Sequence, residues 1–395
     1  MSERQTQGGP SKPLRIANIG TVFTGDWVSP VHDDIDVIIC RDGVIESMGS
    51  DTDEEMTTLD VAGSSLVPGL IDPHVHPVFG DFTPRLSTLG WMEAYVNGGV
   101  TTFISAGEPH LPGRPTDPAG VKALAILAHK SFEKVRPLGA TVHAGAVLLE
   151  RGLVESDFAE LAAQGCWLVG EIGISSAYQL EDSLPMVQAA KKHGFHVPVH
   201  VGGASVPGSS VIGADIVVGL QPHVAVHCNG GPTAPSNEDI ARIIDETDAG
   251  IEVVQAGNVR ALVDVVRMLS ERDALERLQI ASDTPSGTGV IPSSILRTMA
   301  YCVALGGMDP ALAICAATGQ TASRFGLNCG VIAPGRPADI AVLSAPRGSA
   351  ASSLSDALEV GDMPAVGAVV IGGVIRLTGS RVTPPPSTPV LVRGS

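Results

Sequence analysis

The stretch "SLVPGLIDPHVH", Ser65 to His76, divides the chain into two patterns. Before it lie short β-rich runs with turns: "LRIANIGTVFT", "DVIICRDGVIESMG" and "TTLDVAG". In the second of these, "RDG" is a hairpin turn signal. After it, short apolar strands alternate with longer helical stretches. The stretch itself reads as the first strand of the new pattern, and it ends in His74 and His76. Residues two apart on a strand share a face, so both imidazoles can reach one ion.

Working outward, the later strands are "VTTFISAG", "ATVHAGAV", "CWLVGEIG", "FHVPVHVGG", "PHVAVHCNGG", "GIEVVQAG" and "LQIASDTP". Helices are predicted at 117–135, 155–164, 180–193, 236–247 and 257–274. The connection after "FHVPVHVGG" has the weakest helical pattern. Strand–helix alternation over residues 67–332 predicts an α/β fold, a (β/α)8 TIM-like barrel, close to the ~250 residues typical of such barrels. After Ala333 the pattern is β again, in "ADIAVLSAP" and "AVGAVVIGGVIRLTG". Residues 1–66 and 333–395 are therefore expected to pair into one small β-sandwich. The tail "TPPPSTPVLVRGS" reads as extended, and its last residues admit a vector-derived scar.

Composition supports a large-cored globular protein: hydrophobic residues make up 44% and charged residues 17%. The chain has 42 acidic against 25 basic residues, a formal charge of −17. That disfavours nucleic acid or an anionic membrane as partner. No apolar run reaches transmembrane length. The polar start "MSERQTQGGPSKP" lacks a signal-peptide core. The six cysteines show no CxxC pairing and are expected as free buried thiols, which suits a cytoplasmic protein.

Two further strands carry histidine pairs: His196 and His200, then His223 and His227. Active sites of such barrels lie at the C-terminal ends of the strands. That selects His200 and His227 and leaves His196 and His223 as structural residues nearer the bottom. Glu171, in the apolar "CWLVGEIGI", has no Lys or Arg close by in sequence, and a buried carboxylate is costly unless paired or metal-bound. A salt bridge to a distant Arg is the bland alternative. Asp283, ending the eighth strand, would alone read as a turn aspartate. With four histidines at matching strand ends it reads as ligand and base. His74, His76, Glu171, His200, His227 and Asp283 together supply enough N and O donors for two borderline divalent ions with an open position, Glu171 lending one oxygen to each.

These residues resemble the pattern of the amidohydrolase superfamily: HxH after strand one, a bridging acidic or carbamylated residue on strand four, His on strands five and six, Asp on strand eight. "LVPGLIDPHVH" is similar to the family's opening motif and "GVIAPGRPADIAVL" to its closing motif. No Lys lies in or near strand four, so Glu171 stands where many members use a carbamylated Lys. Within the superfamily, "SAGEPHLPGRP", "GGASVPGSS", "HCNGGPTA", "PSGTGVIP" and "LNCGVIAPG" resemble the enamidases of bacterial nicotinate fermentation. The resemblance implies opening of 1,4,5,6-tetrahydro-6-oxonicotinate to 2-formylglutarate and ammonia. It also implies a Zn or mixed Fe/Zn pair and a homo-oligomer, a tetramer.

The chemistry expected is attack on the ring carbonyl by hydroxide held between two cations, with Asp283 taking the proton and returning it to the leaving nitrogen. A nicotinate-derived substrate carries a carboxylate. Arg114 and Arg85, after strands two and one, are candidates to bind it. His110, on the Arg114 loop, is a candidate donor, and Ser209 with Ser210 offers polar contacts. For Arg114 a purely loop-fixing contact is an equal reading. Another cyclic amide, imide or ureide hydrolase shares the same site, and an aminohydrolase would attack a ring C–NH₂ instead. A scaffold protein of this family would lack the ligands, whereas here every ligand position is filled.

Overall fold

The computed structural model describes residues 13–77, 90–107, 113–204, 208–230, 233–285 and 289–394. The first strands are β1 (Leu14–Ala17), β2 (Thr21–Phe23), β3 (Val31–His32), β4 (Val37–Arg41), β5 (Val44–Met48), β6 (Thr57–Asp60) and β7 (Ser65–Pro68). β4 and β5 form the expected hairpin, joined by Asp42 and Gly43 with φ of 50° and 81°. Positive φ at both loop positions matches the right-handed twist of paired strands, and the Asp-Gly pair tolerates it.

The stretch that divides the patterns is itself divided. β7 belongs with the N-terminal strands, and β8 (Leu70–Val75) begins the parallel set after Gly69. A Cβ on Gly69 would lie within 2.1 Å of the Thr101 hydroxyl, so the break needs glycine. The parallel strands that follow are β9 (Val100–Ser105), β10 (Thr141–His143), β11 (Pro198–His200), β12 (Val224–Val226), β13 (Gly250–Val254) and β14 (Leu278–Ala281). β8, β9 and β10 form one sheet, and β11 to β14 another. Single parallel bridges join the two: Val147 to Val169, Leu168 to His196 and Ile172 to Val199. On the other side Val75 bridges Thr284, so the pairings run round in a ring. This is an α/β fold of the TIM-barrel type. Each expected helix is present, at Pro118–Phe132, Glu155–Ala163, Leu180–Lys192, Asn237–Glu246 and Val259–Ser270, and the weakly patterned connection holds Ala214–Leu220.

One expected strand forms only these single bridges. In "CWLVGEIG" the N–H of Glu171 donates to Ala106 O at 2.8 Å instead of to a neighbouring ladder. Gly173, at φ 125°, lets the chain pass so close that a Cβ there would lie 2.6 Å from that of His200. The segment still exchanges main-chain hydrogen bonds with the β11 strand, through His196 N to Trp167 O and His200 N to Ile172 O, so Glu171 and His200 are held side by side.

The last strands are β15 (Ile340–Ser344), β16 (Ala365–Ile371), β17 (Val374–Thr378) and β18 (Leu391–Arg393). β15 pairs antiparallel with β7, which joins the two ends of the chain in the sheet β17-β16-β15-β7-β2-β3. The other sheet is β18-β6-β1-β4-β5. Ile16, Ile38 and Leu59 from one sheet share a buried cluster with Leu66, Val342 and Val370 from the other. The tail does more than extend: β18 pairs with β6, and Arg393 meets Asp60 at 2.8 Å. None of the six cysteines is in a disulfide, and all are buried. Among the described residues, no helix is long and apolar enough to cross a membrane.

Candidate metal centre

β8 carries His74 to the ring interior, and His76 follows directly after it. Both are essentially inaccessible to solvent. His200 is the last residue of β11 and His227 follows β12. Asp283 follows β14 and is the most open of the group, its side chain 18% exposed. His227 and Asp283 have φ of 36° and 55°, left-handed values uncommon outside glycine. Such strain persists where surrounding structure holds it, often at functional sites.

Glu171, 2% exposed, sits at the centre. Its Oε1 lies 2.7 Å from Nε2 of His227 and 2.9 Å from Nδ1 of His200. Its Oε2 lies 3.5 Å from Nε2 of His74 and 4.0 Å from Nε2 of His76. Asp283 Oδ1 closes the second half, 3.3 Å from His76 Nε2 and 3.6 Å from His74 Nε2. Two three-donor groups result, His74–His76–Glu171 and Glu171–His200–His227, with Glu171 common to both. Its side-chain contacts among the described residues are to histidines, so the alternative of a salt bridge to a distant Arg is not what the structure shows.

The outer ring nitrogens decide what faces inward. Nδ1 of His74 donates to Glu252 Oε1 at 2.8 Å, and Nδ1 of His76 to Gly107 O at 3.0 Å. Nε2 of His200 donates to Gly203 O at 3.2 Å. In the neutral form of these three rings the outer nitrogen holds the proton, and the inner one presents a lone pair toward a carboxylate oxygen. Two electron pairs at such distances repel unless a cation, either a metal ion or the ring's own second proton, lies between them. The donor set, imidazole nitrogens plus carboxylates, suits borderline divalent ions. Nε2 of His74, buried and without a hydrogen-bond partner, is aimed into this space. The residues therefore fit divalent metal.

The carboxylates and histidines of the centre also shift one another's ionisation. Burial works against the charged form of Glu171, yet His227, His200 and His74 hold its carboxyl well below the usual range. Burial likewise opposes ionisation of Asp283, and His76, His74 and His227 still hold it down at about 2. Burial favours neutral His74, but Glu252, Glu171 and Asp283 raise it well above an ordinary histidine.

His196 and His223 lie apart from this set. Their rings stack with centroids 4.7 Å apart, and His196 stacks on Phe325 at 3.9 Å. Arg114 is engaged by Glu150: its Nη1 donates to Oε1 at 2.6 Å, and Ser176 N donates to Oε2 at 3.1 Å. That ties the loop after β9 to those after β10 and after Glu171. Ser209 lies half-buried on the loop after β11, where the neighbouring Ser210 N donates to Gly173 O at 2.8 Å. His110 and Arg85 lie outside the described residues.

Sequence reasoning missed Glu252 on β13 and Asp72 on β8. Asp72 Oδ1 accepts from the N–H groups of Ser282 and His74, at 3.1 and 3.4 Å, and burial pushes its carboxyl up to about 7. The signal for Glu252 was the one that singled out Glu171: a lone carboxylate in an apolar strand, here "GIEVVQAG".

No family model matches the chain. It is 46% identical over 374 residues to the enamidase of Eubacterium barkeri, spanning 94% of this chain and 97% of that one. An imidazolonepropionase of Deinococcus deserti is 26% identical over 78% of this chain and 84% of its own length. An adenine deaminase of Bacillus velezensis is 26% identical over 84% of this chain and 54% of its own length. Among solved structures, an enamidase described as a member of the amidohydrolase superfamily superposes with a TM-score of 0.93 at 45% identity, covering 96% of this chain and all of that one. A β-aspartyl dipeptidase of Fervidobacterium islandicum superposes with a TM-score of 0.65 at 19% identity over 95% of this chain and 99% of that one, a likeness of fold alone. Near-full-length identity at this level, on a fold whose strand ends converge on one carboxylate, establishes that the chain belongs to the enamidase family of the amidohydrolase superfamily.

Proposed function

We propose that this chain hydrolyses the C–N bond of a cyclic amide in the manner of enamidase, at a centre of two divalent cations. The cations are Zn, or Fe and Zn, held by His74, His76, Glu171, His200, His227 and Asp283. The observation that carries the reading is the division of Glu171, one oxygen toward each histidine pair. The 46% identity to an enamidase supports the substrate class. The substrate expected is 1,4,5,6-tetrahydro-6-oxonicotinate, opened to 2-formylglutarate and ammonia. The working form is taken to be a cytoplasmic homotetramer, with residues 67–332 as the (β/α)8 barrel and 1–66 with 333–395 as the β-sandwich.

Bound there, divalent cations supply Lewis acidity toward a carbonyl oxygen and make a water acidic near neutral pH. The chain's own groups do the rest. His74 and His76 keep their Nδ1 protons on Glu252 and Gly107 O, so that Nε2 is the nitrogen each would offer to a cation. Asp283, ionised and partly open, accepts the proton that water releases as its oxygen bonds to the carbonyl carbon. It then passes that proton to the ring nitrogen as the C–N bond breaks. The freed enamine tautomerises to an imine, and a second water converts this to the aldehyde and ammonia. Arg114 binds the ring carboxylate while Glu150 holds it in place, and Ser209, His110 and Arg85 are further contacts.

The test is turnover on a panel: 1,4,5,6-tetrahydro-6-oxonicotinate, simple lactams, cyclic imides, ureides and adenine, read by ammonia release and ring-opened product. Preference for the oxonicotinate is expected. Preference for an imide or ureide would move the substrate within the class, and preference for adenine would replace the reading with an aminohydrolase.

A further inference from the structure

Glu252 lies on β13 and is 1% exposed. One of its oxygens, Oε1, accepts two hydrogen bonds from opposite halves of the centre. The first comes from Nδ1 of His74 at 2.8 Å and the second from the main-chain N–H of His227 at 3.1 Å. His74 belongs to one three-donor group and His227 to the other. His227 has a left-handed backbone at φ 36°, which a non-glycine residue keeps only where its surroundings hold it. A lone buried carboxylate in an apolar strand is itself costly, so its placement needs a reason.

The geometry points to Glu252 as a positioning residue that sets the two halves of the metal centre against one another. It acts in three ways. By accepting the proton-bearing Nδ1 of His74 it selects the tautomer whose Nε2 lone pair faces inward. Its negative charge makes that imidazole a stronger donor toward a cation. By accepting the His227 N–H it holds the left-handed turn that aims Nε2 of His227 at Glu171. Glu171 joins the halves from within, and Glu252 joins them from behind. This assignment rests on the reading that the six residues hold two cations.

The test uses full-length protein stripped by chelator and titrated with Zn²⁺ and, separately, Co²⁺. Glu252→Gln keeps the shape and an acceptor oxygen but removes the charge. Glu252→Leu removes both and keeps apolar bulk. Zn²⁺ affinity, read by chelator competition, is expected to fall about 10–100-fold in Glu252→Gln and further in Glu252→Leu. The visible Co²⁺ spectrum should shift in both, and the stripped variants should keep the wild-type far-UV circular dichroism. Wild-type affinity and an unchanged Co²⁺ spectrum in both variants would overturn the assignment. So would loss of affinity matched by loss of secondary structure, since Glu252 would then be a packing residue only. Failure of the wild type itself to take two equivalents would instead overturn the six-ligand reading beneath it.

Discussion

Oε1 of Glu171 lies 2.7 Å from Nε2 of His227, while its Oε2 faces His74 at 3.5 Å, so one carboxylate serves both halves of the centre. A glutamine in its place offers one neutral oxygen where two anionic ones stood. Wild-type protein prepared without chelator is expected to hold close to two equivalents of Zn, Fe or a mixture. In Glu171→Gln occupancy should fall and activity should drop by more than about 100-fold. The fold should survive, because Gln is nearly isosteric. Elemental analysis with circular dichroism reads both. A Gln variant with both metals and full turnover would make Glu171 a bystander.

Asp283 is the most exposed of the six and faces His76 at 3.3 Å. Asp283→Asn keeps its size and removes its basicity. We expect kcat to fall by ~10²–10⁴ with metal content largely kept. Near-normal turnover would assign the proton transfer to another group.

Arg114 meets Glu150 at 2.6 Å, which fits both a loop clasp and a held anion binder. Arg114→Lys separates the two, because Lys cannot reproduce a forked contact. For a carboxylate-bearing ring, KM should rise about 10-fold or more, as loss of a charged hydrogen bond implies. For an uncharged lactam it should stay unchanged. Equal rises for both substrates would leave Arg114 with the loop-fixing role alone.

The stacked pair His196 and His223 predicts acid sensitivity apart from the metals. Burial pushes His196 well below 6.5 and His223 down to about 4. Both are bases with lowered folded pKa, so as pH falls below 6.5 the unfolded chain takes up protons first. Stability is then constant above pH 6.5 and falls as the solution is acidified toward pH 4, by up to about 1.4 kcal/mol per pH unit for each ring. In His196→Phe, which keeps an aromatic stack on Phe325, the loss between pH 7 and 5 should be smaller by about 2 kcal/mol. Urea unfolding of chelator-stripped protein at the two pH values measures it. An equal loss in wild type and variant would show that His196 does not resist protonation.

Much of this protein is readable in its sequence because the relevant signals are local. His74 and His76 share a face by the two-residue strand period, Asp42-Gly43 specifies its turn by backbone preference, and the positions of His200 and His227 follow from where their apolar runs end. What tertiary structure decided are relations between residues remote in the chain. Glu252 meets His74 across a separation of 178 residues, and nothing around either residue encodes that pairing; closure of the ring of strands creates it. β18 finds β6, Arg114 finds Glu150, and Glu171 meets His200 across neighbouring strands. Side-chain alternation states which residues face inward, but only the packed fold states which of them meet.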